Sequence, residues 1–270
     1  MPHAYAPDGT ALHYELRGSG EPLVLLSGQS NSRHWWDPVV EDFAAAFTVV
    51  TLDWRGTGDS DRPDSDSYST RGFADDVAAV LDDAGIGRAH VYGTSMGGRV
   101  AQWFAAEFPE RVGRLVLGCT SPGAPHGVER GPEVRRALAQ GDPEAVRRAL
   151  LELMYTPAWI AAQEAGGRRE FGTLGDPSMP AHARRRHLRA SARHDAWDAL
   201  VRIKAPTLVV HGELDACRPP VLEQQRDDLR SEIDEAETTW AKICGCAGPN
   251  HSFSRRSAHA FGQAVERGTV

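Results

Sequence analysis

Three side chains far apart in the chain have the types needed to attack a carbonyl: Ser95, Asp215 and His251. A serine hydroxyl is a weak nucleophile at neutral pH. It needs a base to take its proton, and the base needs an anion that orients it and stabilises its charged form. Ser95 sits in Gly93-Thr94-Ser95-Met96-Gly97, with Gly98 next. A G-x-S-x-G pentapeptide is short enough to arise by chance, so its flanks decide how it is read. Residues 89–92 are apolar and read as a strand, and residues 96–108 have helical spacing and stop at Pro109. Strand, pentapeptide and helix together predict a nucleophile elbow. Such a bend strains the serine backbone, and glycines two positions either side remove side chains that would collide. The hydroxyl then stands at a helix start, where free N–H groups and the helix dipole favour developing negative charge.

The partners follow from the same logic. Asp215 comes just after the apolar run of "PTLVVHGELDACRPP", and His251 lies in the loop "AGPNHSFSRR" after the last apolar stretch. The order Ser, Asp, His is that of elbow-type hydrolases. Glu213 is the rival acid but falls nearer the strand end, and His259 is the rival base but lies in a helical pattern. His90 and His211 fall in strand patterns, and His211 reads as a satisfied buried histidine. The oxyanion of a tetrahedral intermediate needs donors. The Met96 N–H is one, and the Gln29 N–H in "SGQSNSRHWW" is the other, with Gly28 allowing close backbone approach. Gly28, Ser30, Trp35, Trp36, Trp159 and Phe253 are candidate substrate-pocket residues, although each aromatic ring fits simple core packing equally well.

These residues need a scaffold, and the patterning describes one. Residues 3–6 and 11–17 read as a hairpin around Asp8-Gly9. Short apolar runs at 23–27, 48–53, 89–92, 114–118 and 206–212 have the continuous hydrophobicity of strands buried on both faces. Between them come helical patterns, including one over "WWDPVVEDFAAAF" and one over 70–84 with Phe73, Val77, Val80 and Leu81 on one face. This alternation predicts an α/β fold with a mostly parallel, doubly wound sheet. The rhythm is interrupted from 121 to 200, where helices are predicted at 133–139, 143–155 and 181–193. The chain therefore divides into a core of 1–120 and 201–270 and a helical cap of 121–200. The cap is expected over the carboxyl ends of the strands, where open α/β sheets bind ligands. A helix near 220–233, a last strand within "TTWAKICGC" and a last helix in "SAHAFGQAVERG" complete the core.

Other motifs carry less chemistry. "DWRGTGDSD" has a G-x-G but lacks the third glycine and the immediate helix of a dinucleotide fingerprint. It reads as a tight loop with Asp53 and Arg55 paired. "RRRHLRASAR" reads as a solvated helix face, with attraction of an anionic substrate as its alternative. The net charge of −7 argues against a nucleic-acid surface. No apolar run is long enough to span a bilayer, and the first residues do not resemble a secretion signal. The four cysteines, Cys119, Cys217, Cys244 and Cys246, are too scattered for a disulfide scaffold. They read as reduced thiols of a cytoplasmic protein, with no metal site. Oligomeric state leaves no mark on the sequence.

With "DWRGTGDSD", "GTSMGGRVAQW", "FPERVGRLVL", "PTLVVHGELD" and the late histidine in this order, the chain resembles the α/β-hydrolase fold superfamily over nearly its whole length. "SGQSNSRHWW" and "GTSMGGRVAQW" are most similar to the 3-oxoadipate enol-lactonase and small esterase group. The resemblance implies a Ser95–His251–Asp215 triad, a mobile helical cap and no cofactor. The serine site reads as hydrolysing a carboxylic ester or lactone, and the cap predicts a dry, mostly apolar pocket for a small to medium substrate. Two departures stand out. Ser27-Gly28 replaces the common His-Gly, and the approach to His251 is cysteine-rich. Hydrolysis of a carbon–carbon bond in a diketone-type ring-cleavage product uses the same serine site and is the alternative within this class. A cofactor-free perhydrolase or haloperoxidase side activity is a further one. A ligand-binding protein without catalysis is the alternative outside the class, and it leaves the complete Ser, Asp and His set unexplained.

Overall fold

A computed structural model of the chain describes residues 3–127, 131–139, 142–155, 157–166 and 175–211. Among these, seven strands form one sheet: β1 (His3–Tyr5), β2 (Ala11–Arg17), β3 (Glu21–Leu26), β4 (Phe47–Leu52), β5 (Ala89–Thr94), β6 (Val112–Gly118) and β7 (Thr207–Val210). Their order is β1-β2-β4-β3-β5-β6-β7. The first two strands run antiparallel to their neighbours, and β4, β3, β5, β6 and β7 are mutually parallel. The fold is the doubly wound α/β sheet that the patterning predicts. The predicted helix near 220–233, last strand and last helix lie outside the described residues.

The continuous apolar strands follow from burial on both faces. Successive side chains of a strand point to opposite sides. Val24 and Leu26 of β3 therefore join one core cluster with Val50, Val91 and Leu115, while Leu23 and Leu25 join a second with Val49, Tyr92 and Val116. The first cluster is closed by α2 (Thr70–Asp83) and α3 (Met96–Glu107), through Phe73, Val77, Leu81, Val100 and Phe104. The Ser69 hydroxyl caps α2 by accepting from the Gly72 N–H at 2.9 Å. Its far end closes on Gly85, in the left-handed region at φ 68°. There the Ile86 N–H reaches the Leu81 carbonyl and the Gly85 N–H the Asp82 carbonyl, a Schellman turn.

One predicted helix is shorter than its pattern. "WWDPVVEDFAAAF" forms a 3-10 turn (Arg33–Trp36) and a five-residue α1 (Val40–Ala44), and Phe47 already belongs to β4. Pro38 supplies no N–H for a continuing helix, and Val39 leaves the helical region at φ −134° and ψ −8°, so the stretch breaks into two short pieces.

Between β6 and β7 lie α4 (Pro132–Ala139), α5 (Pro143–Met154), α6 (Pro157–Ala165), α7 (Ala181–Ala192) and α8 (Trp197–Leu200). The patterning anticipates α4, α5 and α7 but not α6 or α8. Pro157 opens α6 at the first helical position, where proline is well suited. Among the described residues, no helix is long and apolar enough to cross a membrane.

Candidate active site at the carboxyl ends of β3 and β5

Ser95 occupies the single residue between β5 and α3, at φ 54° and ψ −119°. A side chain other than glycine rarely takes such a backbone conformation, and it persists only where the surroundings hold it. Two bonds from the end of β6 do so. The Ser95 N–H donates to the Gly118 carbonyl at 2.9 Å, and the Thr120 hydroxyl donates to the Ser95 carbonyl at 2.8 Å. The flanking glycines are required by contact. A Cβ on Gly93 would collide with the Gly97 carbonyl, and one on Gly97 with the carbonyls of Leu26 and Ser27. A Cβ on Gly98 would lie 2.7 Å from the Thr120 side chain. Met96, whose side chain is buried, opens α3. The first N–H groups of a helix have no carbonyl partner within it and carry its positive dipole end.

The second part of the site is the turn after β3. Strands β3 and β5 are paired in register, with Leu26 opposite Gly93. Two residues further, the same register brings Gly28 beside Ser95. A Cβ on Gly28 would lie 3.5 Å from the Ser95 Cβ and 3.9 Å from its Oγ. This is the switch point of the sheet, since β4 lies on one side of β3 and β5 on the other, and ligands of open α/β sheets bind in the crevice there. The turn is closed by the Asn31 N–H on the Gly28 carbonyl at 3.2 Å. Gln29 is half-buried within it, and Ser30 is buried at φ 61°. The Trp54 indole N–H holds the Ser27 carbonyl at 3.2 Å.

Beneath the turn lies an ionic network in which the expected Asp53–Arg55 pair does not form. Asp53 is fully buried and instead accepts from the Arg33 backbone and guanidinium and from the Asp59 N–H at 2.9 Å. Arg55 turns the other way and grips Asp76 of α2 through Nε and Nη2, with Asp8 on Nη1. The reason is geometric. The loop wraps so tightly around the Asp53 carboxylate that a Cβ on Gly58 would overlap it, which leaves Arg55 facing α2. Burial works against both Arg55 and Asp76. The Asp76 carboxyl is pushed up by burial, with Arg55 offsetting part of the rise. Burial also opposes the Arg55 charge, but Asp76 and Asp8 more than compensate and hold its pKa above the ordinary arginine value.

His13, Asp53 and Asp59 bring potential metal-ligand atoms within 4.8 Å of one another. The Arg33 guanidinium already pairs with both carboxylates and with Glu15, so a cation of the protein's own occupies this position. Burial, followed by the Arg33 charge, pushes the His13 pKa down.

Comparison with known proteins agrees with this architecture. A family model described as alpha/beta hydrolase fold matches residues 21–229. The chain belongs to the alpha/beta hydrolase fold family. RutD of Azorhizobium caulinodans, provisionally named a carbamate hydrolase, is 31% identical over 98% of this chain and 97% of its own length. A 2-hydroxy-6-oxononadienedioate/2-hydroxy-6-oxononatrienedioate hydrolase of Burkholderia vietnamiensis is 35% identical over 78% of both chains. The crystal structure of the enol-lactonase of Burkholderia xenovorans shares the fold, with a TM-score of 0.68, 24% identity and 98% coverage of each chain. The chain is thus a hydrolase by family, and its likeness to the enol-lactonase extends over the whole fold.

In this alpha/beta hydrolase, the structure brings Ser95, Gly28 and the turn holding Gln29 and Ser30 together. Trp36 is fully buried in the second core cluster, where it meets Trp35 edge-on at 4.6 Å and Tyr92 at 5.4 Å. Its ring is a core ring, and Trp35 packs partly buried against the same cluster. Trp159 lies on α6, with its side chain outside the described part. Asp215, His251 and Phe253 lie outside the described residues, as do Glu213 and His259.

Two histidines of the helical segment sit where sequence reading sees only a basic surface. In "RRRHLRASAR", Arg184, Arg185 and Arg189 are exposed as expected, and Arg186 pairs with Asp64 and Asp66. His187, on the opposite face, is fully buried. The signal was present in Ala183, His187 and Ala190, a buried stripe at helical spacing. His194, beyond α7, is buried between the Thr70 hydroxyl at 2.9 Å and the Gln102 amide oxygen at 3.3 Å. Burial lowers both pKa values, His187 to about 4 and His194 to about 3. The charge of Arg55 adds to the first shift and that of Arg99 to the second.

Proposed function

We propose that this hydrolase cleaves carboxylic esters or lactones of small to medium apolar substrates through an acyl-enzyme on Ser95. The observation that carries the reading is the Ser95 backbone. A strained φ of 54°, held by Gly118 and Thr120 at the start of a helix, costs about 1–3 kcal/mol, and strain of this kind clusters at active sites. In the mechanism, His251 takes the Ser95 proton as the hydroxyl oxygen attacks the carbonyl carbon. The Met96 and Gln29 N–H groups receive the oxyanion, and Asp215 holds the imidazole in the required tautomer. Collapse of the tetrahedral intermediate breaks the carbon–oxygen bond, and the leaving alcohol takes the proton from His251. Water, deprotonated by the same histidine, then attacks the acyl-enzyme and restores Ser95. The helical segment 121–200 acts as the cap that keeps the pocket dry. Water is the only co-reactant.

The test pairs a fluorophosphonate label with turnover of a p-nitrophenyl ester. Wild-type protein is expected to label at Ser95, and Ser95→Ala to lose labelling and roughly 10⁴- to 10⁶-fold in kcat. Near-normal turnover by Ser95→Ala would overturn the mechanism. Folded wild-type protein that does not label would favour ligand binding without catalysis. The Burkholderia vietnamiensis relative favours a second reading, hydrolysis of a ring-cleavage diketone by the same serine. A side-by-side panel of esters, lactones and such diketones ranks the two by kcat/KM.

A further inference from the structure

The segment between β6 and β7 grips the turn after β3 at three points. The Asp176 N–H donates to the Ser30 carbonyl at 2.6 Å, and the Gly175 N–H donates to the Asn31 side-chain oxygen at 2.8 Å. The third point is His187 of α7, whose Nδ1 faces the Ser30 N–H at 3.3 Å. The other ring nitrogen, Nε2, lies 2.9 Å from the Arg55 carbonyl. A carbonyl only accepts and a backbone N–H only donates. The proton must therefore sit on Nε2 and the lone pair on Nδ1, and this one neutral tautomer satisfies both neighbours. The ring is fully buried, with Tyr68 at 5.7 Å and Phe73 at 5.2 Å between centroids. Ser30 needs such a hold, because its left-handed backbone is one a serine seldom adopts unaided.

We propose that His187 is a positioning residue: by fixing the Ser30 N–H, it aims the adjacent Gln29 N–H at the oxyanion and makes catalysis depend on the docking of α7. The inference rests on the Ser95 mechanism proposed above. His187 acts only through the backbone of the turn. The charged and titratable groups around it are Arg55, paired with Asp76 and Asp8, the Tyr68 hydroxyl, Asp176, and Arg184 and Arg186 on its own helix. Burial keeps the ring neutral at ordinary pH. A proton on Nδ1 would set one N–H against another and break the link.

Three variants test this. His187→Asn can keep an acceptor near the Nδ1 position, His187→Gln can keep a donor near Nε2, and His187→Leu keeps neither. Active sites are counted by fluorophosphonate titration, so kcat refers to folded, reactive enzyme alone. Loss of an oxyanion donor costs about 10²- to 10³-fold, and a misaimed donor is expected to cost roughly 10- to 100-fold in kcat for His187→Leu. KM should stay within about twofold, because the donor matters most when charge develops. The Ki of a trifluoromethyl ketone, which forms a tetrahedral adduct, should rise in parallel with the fall in kcat. His187→Asn should recover most of the loss and His187→Gln little; if the leucine variant does not fold, this pair carries the comparison. Unchanged kcat per titrated site in His187→Leu, or equal kcat in the Asn and Gln variants, would overturn the assignment while leaving the Ser95 mechanism intact. Failure of wild-type enzyme to label would overturn both.

Discussion

Acidification from pH 7 to pH 5 should destabilise this protein well before its carboxylates titrate. The perturbation falls on two buried histidines. An unfolded histidine takes up its proton near pH 6.5, whereas folded His187 and His194 do so only at about 4 and about 3. As pH falls, the unfolded chain gains these protons first. Stability therefore declines from about pH 6.5 downwards and levels off for each group below its folded pKa. Each histidine is expected to cost the folded state about 2 kcal/mol more at pH 5 than at pH 7, or about 4 kcal/mol for the pair. That is a large part of the roughly 5–15 kcal/mol total of a natural protein. Lowered carboxylates such as Glu15 and Asp176 lose their contribution mainly below this window. His13, also lowered, adds to the effect. Asp75, raised by burial and by Glu107, opposes it. The assay is urea unfolding at pH 7, 6 and 5, followed by fluorescence, on wild type and on a His187→Gln/His194→Gln double variant. Wild type should lose stability steeply and the double variant far less. Superimposable pH dependences would refute the argument, because every other titrating group is common to both proteins.

Gly97→Ala is expected to cost about 3 kcal/mol or more and to abolish fluorophosphonate labelling, because the added methyl meets the rigid carbonyls of Leu26 and Ser27. Gly87→Ala, where a Cβ meets nothing within 4 Å, is the control and should be neutral within about 1 kcal/mol in the same urea titration. Asp76→Ala should destabilise by about 3–5 kcal/mol in that titration, because it strips a buried guanidinium of its bidentate partner.

How much of the site was legible in the sequence depends on the distance over which each feature is decided. The elbow was readable because its determinants are local: an apolar strand, a glycine-bracketed serine and a helix, all within residues 89–107. The glycines are needed for contacts made within the pentapeptide and with the neighbouring strand, and the sequence marks them by their rarity in a helix start. The shortened helix before β4 was also decided locally, by Pro38. The Asp53–Arg55 pairing, by contrast, was inferred from nearness along the chain. Two acids compete for Arg55 across space, and the loop's close wrap around Asp53 turns the arginine towards α2.

The amino-acid sequence by itself determined that an α/β sheet would carry a serine on a strained bend, since that information lies in the periodicity and residue sizes of neighbouring segments. Only the tertiary structure decided what surrounds the bend. It set Gly28 beside Ser95 through the β3–β5 register, paired Arg33 with Asp53 and Arg55 with Asp76, and seated His187 against Ser30 from far along the chain. A hydrogen bond or ion pair depends on the direction and burial of both partners, and those exist only once the separate elements have packed.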